Sequence, residues 1–162
     1  MSLLLTGAKT ITIAGTEMQC VEIYTGEAYT FPFAFKTSTG TSIDCTGWTV
    51  APAAKWYHCD TTYPDADTID ISNLTLDAPQ PSSGASANLV AAFTSTSTGV
   101  GYVYIPVEIS GGYGSPNPSP TVTVDSTNTL LVIVSLTVSR TDAQSGRIDV
   151  NREPIGMIVR YQ

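Results

Sequence analysis

The sequence predicts an all-β domain, a sandwich or a barrel of short strands. Three observations carry this. Apolar residues recur with period two, not with the 3.6-residue period of a helix. The alternating runs are short and are separated by Gly, Pro, Asn, Asp and Ser. No window has a persuasive amphipathic helix; the one candidate, "ANLVAAF", is short. A chain of 162 residues with 42% hydrophobic content suits one domain with a real core, so residues 1–162 are read as a single unit.

From the N-terminus, residues 1–15 are an arm or a first strand. They hold the apolar triplet Leu3, Leu4, Leu5 and the alternating run "KTITIAG". "EMQCVEIY" alternates Met18, Cys20 and Glu22 against Gln19, Val21 and Ile23, and either face suits a core. "AYTFPFAFK" is the cleanest strand. It sets Tyr29, Phe31, Phe33 and Phe35 on one face and Ala28, Thr30, Pro32 and Ala34 on the other. Pro32 cannot donate to a ladder, so this strand is expected at a sheet edge or at a local break in pairing. Further β-rich runs are "WTVAPAAKWY", "DTIDISNLTL", "ANLVAAFTS", "GYVYIPVEIS", "PTVTVD", "TLLVIVSLTVSR", "GRIDVNRE" and "PIGMIVRYQ". Two Pro- and Gly-rich loops interrupt them, at 77–86 and 111–120.

Charge and cysteine content narrow the function classes. Seven basic residues never form a run, and the net charge is -7. Binding to nucleic acid needs concentrated positive charge, so no nucleic-acid partner is expected. No apolar stretch is long enough for a membrane span or a signal peptide, so no membrane partner is expected either. Three cysteines with irregular spacing argue against a disulfide framework and for buried, reduced thiols.

The segment "GTSIDCTGWTVAPAAKWYHCD" concentrates both tryptophans, the single histidine and two cysteines. A zinc site at Cys45, His58 and Cys59 is disfavoured, because adjacent strand residues point to opposite faces. The same adjacency disfavours a thiol–imidazole pair, and there is no nucleophile elbow. The segment therefore reads as dense packing, with Trp56 and His58 on one face and Tyr57 and Cys59 on the other. Asp65, Asp67 and Thr68 could supply oxygens to calcium but lack the glycine and terminal glutamate of an EF-hand loop. A solvated acidic loop is the better reading. Tyr102 and Tyr104 share a strand face and, with Tyr113, suit a sugar platform, a core or a subunit contact. No catalytic residue, cofactor or metal is expected.

Most of the chain resembles the N-terminal domain of phage baseplate upper proteins, most strongly residues 22–56, "EIYTGEAYTFPFAFKTSTGTSIDCTGWTVAPAAKW", with residues 100–110 and 130–162 resembling its remaining strands and closing hairpin. The shared features are a Gly26–Glu27 turn, the aromatic strand, a Gly-containing hairpin turn at 38–40, and "GTSIDCTG" leading into another strand. Cys45 stands where the family pattern has Leu, and no long fibre or coiled-coil extension accompanies the domain. The resemblance implies an immunoglobulin-like antiparallel β-sandwich. It also implies a non-enzymatic virion structural protein of a tailed phage, assembled in the bacterial cytoplasm. A tail, baseplate or fibre-attachment subunit is the first reading. A capsid decoration protein and a host-glycan binding module are the alternatives. The expected partners are copies of the same chain and other virion proteins. The expected contacts are an N-terminal segment docked on a neighbour through Leu3, Leu4 and Leu5, the edge strand at Pro32, and the loop residues Tyr113, Pro116, Asn117 and Pro118.

Overall fold

The computed structural model describes residues 2–13, 16–24, 26–59, 68–69, 75–76, 89–107 and 129–160. Among these the strands are β1 (Ser2–Leu5), β2 (Lys9–Ile13), β3 (Thr16–Tyr24), β4 (Tyr29–Lys36), β5 (Thr49–Cys59), β6 (Thr68–Ile69), β7 (Thr75–Leu76), β8 (Val90–Ser95), β9 (Val100–Ile105), β10 (Thr129–Thr141) and β11 (Ile148–Arg160). They form a smaller sheet, ordered β1-β4-β9-β8, and a larger one, ordered β6-β2-β3-β11-β10-β5-β7. The chain crosses repeatedly from one sheet to the other, the plan of an immunoglobulin-like sandwich. Of the one helix candidate of the sequence, "ANLVAAF", residues 90–93 belong to strand β8 and residues 87–88 lie outside the described residues.

Alternation builds the core. Phe33 and Phe35 of β4 and Val103 and Ile105 of β9 point inward from the smaller sheet. Val132, Val134, Leu136 and Val138 of β10 and Ile155, Met157 and Val159 of β11 face them from the larger sheet. Val21 and Ile23 join this core, which settles the orientation of β3 that its sequence left open. Phe33, Phe35 and Phe93 meet edge-on or tilted, with ring centroids 5.4–6.1 Å apart. Gly101 makes room for this cluster, since a Cβ there would lie 2.5 Å from Phe33 Cζ and 2.4 Å from the Ala92 carbonyl oxygen.

Turn chemistry fixes the corners. Between β3 and β4, Gly26 has φ of 80°. There the Tyr29 hydroxyl donates to Glu27 Oε2 at 2.8 Å and accepts from the Tyr24 N–H at 2.9 Å. Between β10 and β11, one Asp142 carboxylate oxygen accepts from the Ser145 N–H, the Ser145 hydroxyl and the Gln144 N–H at 2.7–3.0 Å. Those donors favour the ionised carboxylate and lower its pKa.

Four expectations are corrected. First, the N-terminal segment is not an arm docked on a neighbour but the first strand of its own sheet, with Leu3 opposite Phe35 and Leu5 opposite Phe33. Leu3 and Leu5 are buried in the core, and only Leu4 stays exposed. Pairing on β4 buries two leucines within one chain, so no neighbour is required.

Second, of the two alternatives expected for Pro32 the sheet edge is excluded, because β4 lies between β1 and β9, and the local break holds, because the pairing with β1 ends at Phe33. The Pro32 carbonyl accepts from the Thr6 N–H at 3.0 Å, so its nitrogen faces the same side, just beyond the end of β1. The missing N–H costs no bond to β9. Third, "GRIDVNRE" and "PIGMIVRYQ" are one 13-residue strand, β11, running through Pro154. Fourth, not every pairing is antiparallel: β3 pairs with β11, and β2 with β6, in parallel. The "PTVTVD" run and both long loops lie outside the described residues.

Replacing Gly101 by Ala inserts a methyl where Phe33 and the Ala92 carbonyl already touch. We expect a loss of about 1–3 kcal/mol in urea unfolding. Deleting residues 2–5 removes two core leucines and should destabilise the isolated chain by several kcal/mol, roughly 2–5 for each. An unchanged midpoint for the deletion would contradict the placement of β1.

Candidate interaction surface

Among the described residues, the residue types that could do chemistry do not converge. Cys45 sits in the strap between β4 and β5, fully buried. Its N–H donates to the Thr96 carbonyl at 2.7 Å, and its carbonyl accepts from the Trp48 N–H at 2.9 Å, closing a turn around Gly47 with φ of 80°. His58 and Cys59 lie at the other end of β5, where their backbones pair with Leu130 and Thr129. The intervening ten residues of strand span about 33 Å, so the three cannot share an ion. Beyond Ala54 the β5 side chains are outside the described residues, including the expected facing of Trp56, Tyr57, His58 and Cys59. So are Asp65 and Asp67; the Thr68 backbone pairs with Thr12 in β6.

The strap is packing. A Cβ at Gly99 would lie 3.2 Å from Cys45 Sγ and 2.6 Å from the Ile43 carbonyl oxygen, so the strap presses directly on the start of β9. Trp48 packs against the core edge under the Arg140 guanidinium, 4.9 Å from the ring centroid. Cys20, on the outer side of β3, is also buried and free. Burial first, and then the Glu22 carboxylate, pushes its thiol up to about 12. Burial, and then Asp44, likewise raises Cys45. Such thiols are poor nucleophiles at neutral pH.

What the fold does assemble is an uncharged apolar face. The inward stripe of the smaller sheet is the core, so the complementary residues share its outer face. Strand register lines them up in rows: Leu4, Ala34 and Val100; Pro32, Tyr102 and Ala92; Thr30, Tyr104 and Val90. Leu4 is 49% exposed and Val90 39%; Pro32 is exposed, while Tyr102 and Tyr104 are half-buried. Lys36 is the one charged residue among the described residues of this face. It sits at the corner beside Ser2, and its ammonium donates to the Ser42 hydroxyl at 2.8 Å. Scattered apolar residues are ordinary on a surface, but three consecutive rows without charge are the composition of an interface centre.

Of the expected contact residues, the face brings together Leu4, Pro32 and the Tyr102–Tyr104 pair. It excludes Leu3 and Leu5, which are core. Tyr113, Pro116, Asn117 and Pro118 lie outside the described residues. Ala34, Val90, Ala92 and Val100 were missed. The signal for them was the outward stripe of each alternating strand, which becomes a surface only once β8 and β9 are known to lie beside β4.

No family model matches the chain, and no curated protein matches it. Among solved structures it is similar to AggA, the major subunit of aggregative adherence fimbriae type I from Escherichia coli. The identity is 14% and the TM-score 0.26, over 98% of this chain and 96% of that one. The fold assignment therefore rests on the strand register above.

The raised thiol of Cys20 has a pH signature. Its ordinary value is 9.0 and its folded value about 12, so the native state holds this proton more tightly than the unfolded chain. Its contribution to stability is complete below about pH 9 and is lost as pH rises from 9 toward 12. We expect Cys20→Ala to flatten the alkaline limb of a stability profile over that range. We also expect native Cys20 to resist thiol reagents at pH 8 until the protein unfolds.

Proposed function

We propose that the protein is a non-enzymatic structural subunit of a tailed-phage particle, at a tail, baseplate or fibre-attachment position. It joins a neighbouring virion subunit through the outer face of its smaller sheet. The observation that carries the assembly role is that face: rows of Leu4, Pro32, Tyr102, Tyr104 and Val90 without an acidic residue. The phage setting is supported by the resemblance of residues 22–56 to baseplate upper-protein domains. The expected partner surface is likewise flat and apolar, because an uncharged face offers a partner no ion pairs and gains its affinity from area removed from water.

A host-glycan binding role is the second reading, favoured by one observation. Tyr102 and Tyr104 stand two residues apart on the outer side of β9, the spacing at which two rings present one platform.

The test uses Leu4→Asp with Val90→Asp, both at exposed positions. The double variant should fold with a melting temperature close to that of the parent. Losing two apolar contacts of about 1.5–3 kcal/mol each should weaken incorporation into particles by about a hundredfold or more. Unchanged incorporation would overturn the proposed contact. If instead Tyr102→Ala abolishes binding to host cell-surface glycan while particles still take up the protein, the second reading replaces the first.

A further inference from the structure

A second feature lies on the larger sheet, away from that face, and does not depend on the reading just given. Strand β11 pairs with β10 along its length, from Ile148 opposite Thr141 to Val159 opposite Leu130. On its other side β3 joins only from Ile155, opposite Gln19. Among the described residues, no strand pairs with 148–154 on that side.

The sequence explains why the ladder stops there. Pro154 has no N–H to donate. One step further, continued pairing would set Glu153 opposite Glu17, and both line the same cavity of about 290 Å³ together with Gln19 and Pro154. Like charges directly opposite oppose pairing. Among the described residues the result is an open backbone edge of six residues, 148–153, ending in the β10–β11 turn.

This edge carries two well-exposed apolar side chains. Ile148 is 64% exposed and Val150 52%, more than any other large hydrophobic residue among those described. Lysine, which commonly guards free edges, is absent from 147–153.

We propose that this edge pairs antiparallel with the same edge of a second copy, about a two-fold axis through Val150. The sequence "RIDVNRE" is self-complementary in that register. Arg147 falls opposite Glu153 at both ends, Ile148 opposite the aliphatic stem of Arg152, Asp149 opposite Asn151, and Val150 opposite itself. Neighbouring registers are worse. Centring on Asp149 faces two carboxylates, and centring on Asn151 sets Asp149 against Glu153 twice. In the single chain Asp149 is bonded by both Arg147 and Arg140, at 3.1 and 3.2 Å. Arg147 can therefore turn to the second copy's Glu153 while Arg140 still holds Asp149. The contact is isologous and closes on itself, which gives a dimer and no filament. It joins the larger sheets of the two copies into one.

Sedimentation of the full chain tests this. The parent should show a monomer–dimer equilibrium. Val150→Lys places two ammonium groups face to face on the axis and should weaken the dimer by about tenfold or more while leaving the fold intact. Leu4→Asp with Val90→Asp should leave the dimer unchanged, which separates this edge from the outer face of the smaller sheet. Register has its own readout. Val150→Cys brings two thiols onto Cα atoms about 4.5–5.5 Å apart, within disulfide reach, and should give a cross-linked dimer. Asn151→Cys leaves them about 8 Å apart and should not. A parent that stays monomeric up to about 1 mM overturns the proposal. So does a dimer indifferent to Val150→Lys, or equal cross-linking at both positions.

Discussion

The parallel pairing of β3 with β11 is the constraint on which the rest of this structure depends. It joins residues 19–24 to residues 155–160, so the larger sheet exists only once most of the chain has been synthesised and folded back. Glu22 and Arg160 reinforce it with two hydrogen bonds of 3.2 Å from the guanidinium. Two buried stripes meet across it: Val21 and Ile23 beside Met157 and Val159. On its other side β3 pairs with β2, and the strand before that leaves the larger sheet. β1 crosses to β4, and its two alternate leucines enter the core from the opposite layer. That crossing puts Leu4 on the outer face of the smaller sheet, next to Ala34. The same pairing, halted at Pro154, leaves the lower part of β11 open. That register thus sets the edge of β11, while the pairings of β1, β4, β9 and β8 set the apolar face.

Close packing between the layers gives the sandwich a unique arrangement. Gly99 and Gly101 bracket the start of β9, and at both a side chain would collide with a neighbour: the strap at Ile43 and Cys45 in one case, Phe33 in the other. The strap is thereby held across the end of the sandwich. This gives Cys45, Gly47 and Trp48 of that segment packing and turn roles. Cys45 fills a small site against Phe35, and Trp48 lies over the rim beneath Arg140.

Local features of the fold were legible in the sequence because they follow from period and turn chemistry. The alternation of Tyr29 through Phe35 marks both the strand and its core face. The Gly26–Glu27 turn and the turn at Gly47 are readable from the conformations that glycine permits. Pairings between distant segments were not legible. Nothing in "EMQCVEIY" names the end of the chain as its neighbour, and both of its faces suit burial. Pro154 suggested a break, yet β11 runs on through it, paired with Ser135 of β10 on one side and with no described strand on the other. Leu3, Leu4 and Leu5 read as a sticky terminus because their alternation is invisible in three identical residues. Only a neighbour of known orientation divides them into two core residues and one exposed one. The contact face was half visible: Leu4, Pro32, Tyr102 and Tyr104 drew notice separately, and register between β1, β4, β8 and β9 is what unites them.

The proposed assembly contact buries the outer face of the smaller sheet. Amide hydrogen exchange on the isolated protein and on intact particles tests it most directly. In the particle, peptides covering β1, the Thr30–Lys36 part of β4, and β8 with β9 should exchange more slowly than in the free chain. The strap at 40–47 and the start of β5 should be unchanged. Equal exchange of the smaller sheet in both states, with protection confined to other segments, would contradict it.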